Sequence, residues 1–157
     1  MSERSTRHAT FVIERAYAAS PARVFAAWAE PAAKVRWFVC HDDWKNIGYE
    51  LDFRVGGRER LRVGPPGGPV HAFDCIYQDI VPDQRIVYSY DMHLDETRIS
   101  VSLATVELKP AGDGTLLIFT EQAVFLDGYD SPAEREEGTR MGLANLDATL
   151  RRDAATA

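Results

Sequence analysis

Glu121 is the acid best placed to do chemistry in this chain. In Leu117-Ile118-Phe119-Thr120-Glu121 the two-residue period of a strand puts Glu121 on the face of Leu117 and Phe119. A carboxylate on such an apolar wall is desolvated, its pKa rises, and it can bind or protonate a polar group. A carboxylate at a strand end also commonly stands in water or pairs with an arginine, so the pattern leaves both arrangements open. His41 follows Trp37-Phe38 in a loop and titrates near neutral pH, which makes it the second acid–base candidate. Its neighbour Cys40 offers a nucleophile, but adjacent residues of an extended chain point in opposite directions, and a thiol without an activating partner is inert. His93, after Tyr88-Ser89-Tyr90, reads as a strand-end surface residue. Glu121 and His41 are thus the candidates for acid–base catalysis, and neither belongs to a complete catalytic constellation.

The histidines at 8, 41, 71 and 93 and the cysteines at 40 and 75 show no CxxC, HxxxH or HExxH spacing, by which one element presents two metal ligands together. No metal and no cofactor are expected. Gly56-Gly57 and Gly67-Gly68 lack the lysine and helix start of a phosphate loop and read as turns. Aromatic residues are plentiful: Ile86, Tyr88 and Tyr90 share one strand face, and if it turns inward the two phenols need partners.

The elements that must hold these residues follow from period and punctuation. A first strand covers Thr10 to Ala18, and Ser20-Pro21 caps a short helix that Pro31 ends. A second short helix runs from Ala32 to about Trp37. Strands then cover Ile47–Val55, Arg58–Val63, Val70–Val81, Arg85–Met92, Thr97–Lys109 and Thr115–Val124, with Gly56-Gly57 as a two-residue hairpin turn. The gaps are too short for parallel crossovers, so about seven strands make an antiparallel meander. After Gly128 the period changes. Thr139, Leu143, Leu146 and Leu150 mark one face of a helix from Ser131-Pro132 to about Arg152, and Glu134, Arg135, Glu136, Asp147 and Arg151 are assigned to a charged opposite face. That helix has a resting place in the hollow of the sheet, giving an α+β fold. In the strand from Ile99 to Leu108, Val106 and Leu108 set an inward parity that also turns Ser100, Ser102 and Ala104 inward. Either a bulge near Ala104 flips the register, or the wall is locally polar and Ile99, Val101 and Leu103 form an outer apolar stripe, a candidate homodimer contact.

Composition bounds the rest. A chain of 157 residues with 45% hydrophobic content supports one domain with a real core, placed at 10–153 with flexible ends at 1–9 and 154–157. A formal net charge of −6 offers no basic field to nucleic acid or anionic membrane. No segment approaches the roughly 20 apolar residues of a membrane span, and the N-terminus has no apolar leader, so a cytoplasmic protein is expected, its cysteines free thiols.

Several stretches also resemble a known superfamily. They are Asp52-Phe53-Arg54-Val55-Gly56-Gly57-Arg58, the run Asp79 to Tyr88, Val106-Glu107-Leu108, Gly114-Thr115 and Phe119-Thr120-Glu121. With Arg15 to Phe25, Arg36-Trp37-Phe38 and the leucines at 143, 146 and 150, they resemble the START-like, or SRPBCC, superfamily, in the branch named for the activator of the ninety-kilodalton heat-shock protein's ATPase. The resemblance covers about residues 10 to 150. It departs at Tyr17, where an aliphatic residue is usual, and at Thr139, where many members carry tryptophan. It implies a helix-grip fold with a ligand cavity between the C-terminal helix and the sheet. Trp37, Phe38, Phe53, Tyr88, Phe119, Glu121, Met141 and Asn145 are then expected to line a site for a small, largely apolar molecule. The resemblance implies two other uses, an enzyme of cyclase, hydrolase or dehydratase type with Glu121 or His41 as acid or base, and a co-chaperone-like interaction module. Only about ten polar residues precede the first strand, which speaks against chaperone contact.

Overall fold

The computed structural model describes residues 3–38 and 43–156. Among them β1 (Thr6–Tyr17) leads into α1 (Pro21–Ala29) and α2 (Pro31–Phe38). There follow β2 (Lys45–Leu51), β3 (Arg58–Gly64), β4 (His71–Val81), β5 (Arg85–Leu94), β6 (Thr97–Ala111), β7 (Gly114–Leu126) and α3 (Pro132–Thr156). The strands form one antiparallel sheet in the order β1-β7-β6-β5-β4-β3-β2. β2 to β7 are the expected meander, and β1 lies beside β7, so the first and last strands are neighbours. The fold is α+β and of helix-grip type, a curved sheet holding a long C-terminal helix.

Alternation sets the two faces of the sheet. Phe11, Ile13 and Tyr17 are buried while Val12 and Glu14 face out, as their parity requires. β1 starts earlier than expected because it pairs with β7 without a break from Thr6↔Leu126 to Tyr17↔Thr115. Part of the stretch 1–9, expected to be flexible, is therefore strand, and the Ser5 amide donates to Asp127 at 2.9 Å. At the other end α3 continues to Thr156, into the expected frayed tail at 154–157. Ser20 caps α1 as expected, its Oγ accepting from the Arg23 amide at 3.3 Å, with Pro21 in the first turn.

Gly56-Gly57 is not a two-residue hairpin. β2 ends at Leu51, paired with Glu59, and residues 52–57 make a longer connection tied back to β4. The Gly56 amide donates to the Tyr77 carbonyl at 2.8 Å, and the Tyr77 amide donates to the Gly57 carbonyl at 3.0 Å. Gly56 has φ +81°, a left-handed conformation that suits glycine. At Gly57 a β-carbon would collide with the Asp52 carbonyl.

β6 takes the second of its two arrangements. Its pairing with β7 runs unbroken from Ser100↔Phe125 to Ala111↔Gly114, so there is no bulge near Ala104. Ser100, Ser102, Ala104, Val106 and Leu108 face inward, and Val101 and Leu103 stand outside at 42% and 40% exposure. The irregularity falls at Ile99, where Met92↔Ser100 and His93↔Arg98 step over it on the β5 side, so Ile99 is buried and does not join Val101 and Leu103 in the outer stripe as expected.

α3 lies in the hollow through Leu143, Leu146 and Leu150, all buried. Tyr17 explains its departure from an aliphatic residue: its phenol donates to the Leu143 carbonyl at 3.0 Å and ties β1 to α3. Arg23 of α1 donates to the Leu150 carbonyl at 3.0 Å, and Arg36 of α2 pairs with Asp153 at 2.9 Å. Gly138 sits inside α3 with nothing within 4 Å of a built β-carbon. Gly138→Ala is therefore expected to stabilise the fold by about 0.5–1 kcal/mol by removing backbone freedom. A higher urea midpoint at unchanged slope checks this.

Candidate functional site

Glu121 faces inward from β7, opposite Phe11 on β1 and Ala104 on β6, and is 0% exposed. Oε2 accepts hydrogen bonds from the Tyr90 phenol at 2.7 Å, the Ser102 hydroxyl at 2.9 Å and Arg135 Nη1 at 3.3 Å. Oε1 is buried and has no hydrogen-bond partner among the described residues. Of the two arrangements left open by the sequence, burial and pairing thus occur together: one oxygen is saturated and the other is not.

Arg135, in the first turns of α3, organises this cluster. Its Nη2 donates to the Ser100 hydroxyl at 2.7 Å and to Asp130 at 2.9 Å, and its Nη1 reaches the Tyr90 oxygen at 3.1 Å. The guanidinium also lies over the rings of Phe125 and Tyr90, 5.2 and 5.7 Å from their centroids. Burial disfavours its charge, but Tyr90, Glu121 and Asp130 outweigh that and hold its pKa above the ordinary arginine value. Burial, and then the charge of Glu121, push the Tyr90 phenol up as well, so Tyr90 remains a proton-bearing donor to the carboxylate.

A cavity of about 260 Å3 opens beside this cluster. Its walls are Trp28 of α1, Trp37 and Phe38 of α2, Leu61 of β3, Phe73 of β4, Tyr88, Tyr90 and Met92 of β5, and Phe119 and Glu121 of β7. α3 closes it with Glu134, Arg135, Gly138, Thr139, Gly142 and Leu143, and Asp130 lies just before the helix. The aromatic rings meet mostly edge to face, as in Trp28–Trp37 at 4.7 Å and Phe38–Phe73 at 5.0 Å. Trp28 carries a second buried polar atom without a partner among the described residues, Nε1. The cavity wall thus includes residues with an unsatisfied acceptor, on Glu121, and an unsatisfied donor, on Trp28.

Five of the expected lining residues meet here: Trp37, Phe38, Tyr88, Phe119 and Glu121. Three do not. Phe53 lies in the connection after β2 and packs its ring on Phe25 at 5.6 Å and Tyr77 at 4.9 Å. Met141 is 42% exposed, and Asn145 is outside the cavity lining. Met141 stands two positions, about 200° around the helix, from both Thr139 and Leu143, on the far side. Asn145 is half-buried two turns along the helix from Gly138, and it lies beyond Leu143, the last residue of α3 in the lining. The same geometry corrects Arg135. It precedes Thr139 by one turn and continues the Thr139–Leu143–Leu146–Leu150 ridge, so it belongs to the buried face and not to the charged one. His41 and Cys40 lie outside the described residues.

A second buried ionic cluster lies beside the cavity. Lys34 of α2 and Glu59 of β3 are both fully buried and pair at 2.9 Å. The phenols of Tyr77 and Tyr49 donate to the two Glu59 oxygens at 2.6 and 2.7 Å. The Lys34 ammonium also lies over the rings of Phe38 and Trp28, at 4.4 and 4.9 Å. Both residues could have been found by period: Glu59 shares parity with the buried Leu61, and Lys34 lies one turn before Trp37. Nearby, burial and then the charge of Glu59 push the Cys75 thiol up, which keeps it protonated and inert.

On the outer face, Asp74, Asp91 and His93 bring donor atoms within 4.8 Å of one another. Spacing along the chain could not show this, because β4 and β5 supply the members through the Asp74↔Asp91 pair. His93 is half-buried, less open than a strand-end surface residue. Both carboxylates already hold guanidinium partners, Arg60 and Arg62 at 3.0 Å for Asp74 and Arg98 at 3.1 Å for Asp91. Burial works against ionising Asp74, but the arginine hydrogen bonds and charges prevail and hold it below the usual carboxylate range.

No described helix is long and apolar enough to cross a membrane. No curated protein matches the chain. Among solved structures, an uncharacterised protein from Rhizobium leguminosarum is 52% identical, with a TM-score of 0.92 over 96% of this chain and 99% of that one. A protein from Rhizobium loti is likewise 52% identical, with a TM-score of 0.86 over 92% of this chain and 99% of its own. An AHSA1-like protein from Aeromonas hydrophila shares the fold at 20% identity, with a TM-score of 0.72 over 93% of this chain and 94% of that one. The model of the family described as Activator of Hsp90 ATPase homolog 1-like protein matches residues 18–151. With that match spanning the helices, the cavity and all but the first strand, the chain belongs to the Activator of Hsp90 ATPase homolog 1-like family, within the SRPBCC superfamily.

Proposed function

We propose that this domain binds a small, largely apolar molecule in the cavity between α3 and the sheet. The supporting observation is an aromatic-walled cavity whose wall residues Glu121 and Trp28 each keep a buried polar atom without a partner among the described residues. Buried polar groups are rarely left unsatisfied, and each one costs about 1–3 kcal/mol. A ligand that offers one donor and one acceptor from an apolar body removes both penalties. Its apolar surface adds about 25 cal/mol per Å2 buried. At about 260 Å3 the space sits just under the ~300–1,000 Å3 typical of small-molecule pockets, which suits a body of one or two rings.

Thr139 tests the reading because it lines the cavity from α3, at the place where the superfamily resemblance implies a tryptophan. Thr139→Trp is expected to fill the space and raise the melting temperature. It should also weaken binding of the uncharged fluorescent probe N-phenylnaphthylamine by roughly tenfold or more, the loss of about one well-buried apolar contact set. Probe titration with both proteins decides it. Absence of saturable binding to the wild type, or equal binding to the variant, overturns the proposal.

A further inference from the structure

We infer that the occupant of the cavity carries a protonated amine, which docks on Oε1 of Glu121. The inference rests on the cavity being a binding site and adds the charge and the chemical class of what it takes. Three observations support it. First, Oε1 is a buried carboxylate oxygen with free lone pairs and no donor among the described residues, while Oε2 already accepts three hydrogen bonds. An acceptor-only group selects a donor, and a charged donor most strongly. Second, the formal charges do not close. Glu121 and Asp130 share the single guanidinium of Arg135, and a third carboxylate, Glu134, stands at the cavity rim. One added positive charge neutralises the buried part of this cluster, whereas an anion would be repelled by it. Third, a desolvated ammonium needs more than one partner, and the rings of Tyr88, Tyr90 and Phe119 present π faces or edges in the same cavity. The net charge of −6 on the whole chain also favours the approach of a cation.

The occupant is thus a small ring-bearing amine, and a carboxylate of the same shape is excluded. A matched series reads this directly: methylnaphthalene, naphthylmethylamine, naphthylmethanol and naphthoate share one apolar body and differ only at the polar end. Each is titrated against protein carrying N-phenylnaphthylamine, and displacement of the probe is followed by fluorescence. The amine should displace the probe roughly ten- to a hundredfold better than naphthoate, with the alcohol between, as a charge-assisted hydrogen bond to a buried group requires. Glu121→Gln turns an amide donor toward the same space, so the preference for the amine over naphthoate should vanish or invert. Displacement by methylnaphthalene should persist in that variant, which shows that its cavity is still formed.

If methylnaphthalene displaces the probe but the three polar compounds bind alike, or naphthoate binds best, the amine assignment is wrong and the apolar binding site stands. If Glu121→Gln keeps the full preference, another group receives the amine and the assignment to Glu121 falls. If no member of the series displaces the probe, the binding-site reading fails together with the inference.

Discussion

Lys34→Met is expected to destabilise the protein by about 3–5 kcal/mol, because it strips the partner from a carboxylate that has no access to water. Lys34 and Glu59 are both fully buried, and the ammonium is the cation that Glu59 Oε1 contacts at 2.9 Å. Methionine fits the shape of the lysine stem among Trp28, Trp37 and Phe38, so little of the loss is a packing defect. The carboxylate keeps its two tyrosine hydrogen bonds but must fold without a counter-charge. The double change Lys34→Met with Glu59→Gln should recover most of the loss. A glutamine can accept from one phenol and donate to the other, at Tyr77 and Tyr49, and leaves no buried charge. Urea unfolding of the two single variants and the double variant forms a complete cycle. A double variant no more stable than Lys34→Met would show that the pair acts through shape and not through charge.

The fold was largely legible because its signals are local. Breakers at Pro31, Gly64 to Pro69 and Gly128 separate periods of two from periods of 3.6, and every expected strand appears within a few residues of its place. The errors have physical causes. Gly56-Gly57 resembles a hairpin turn in isolation, but the Gly56 amide and the Gly57 carbonyl are claimed by Tyr77 across the sheet, and that claim is a tertiary fact. Thr6 to Ala9 look too polar to be ordered, yet the β7 edge supplies them with a pairing partner.

The site was half legible. Glu121, Tyr88 and Phe119 followed from strand alternation, and Trp37-Phe38 from the resemblance. The expected helix contribution from Met141 and Asn145 does not hold, because the 100° step of a helix carries both off the Thr139–Leu143–Leu146–Leu150 ridge. The ionic partner of Glu121 is less legible, because Arg135 reads by residue type as part of the charged face of α3. Ser100 and Ser102 were the clue, since a polar stripe on an inward face needs a partner to satisfy it, and Arg135 is on the one element that faces it.

Arg135→Met tests that network, and a paired change separates charge from packing. Removing the guanidinium takes from Glu121 and Asp130 the cation that both contact, and Glu121 is 0% exposed. A loss of about 3 kcal/mol or more is expected near neutral pH. The double change Arg135→Met with Glu121→Gln removes the buried charge together with its partner and should recover most of that loss. Arg135→Lys restores a charge but not the planar fork that bridges Glu121, Asp130 and Ser100, so it should recover only part of the loss. Denaturant unfolding of the variants beside the wild type measures it. A double variant no more stable than Arg135→Met would mean that Arg135 stabilises the fold by packing over Phe125 and Tyr90 and not by neutralising the carboxylate.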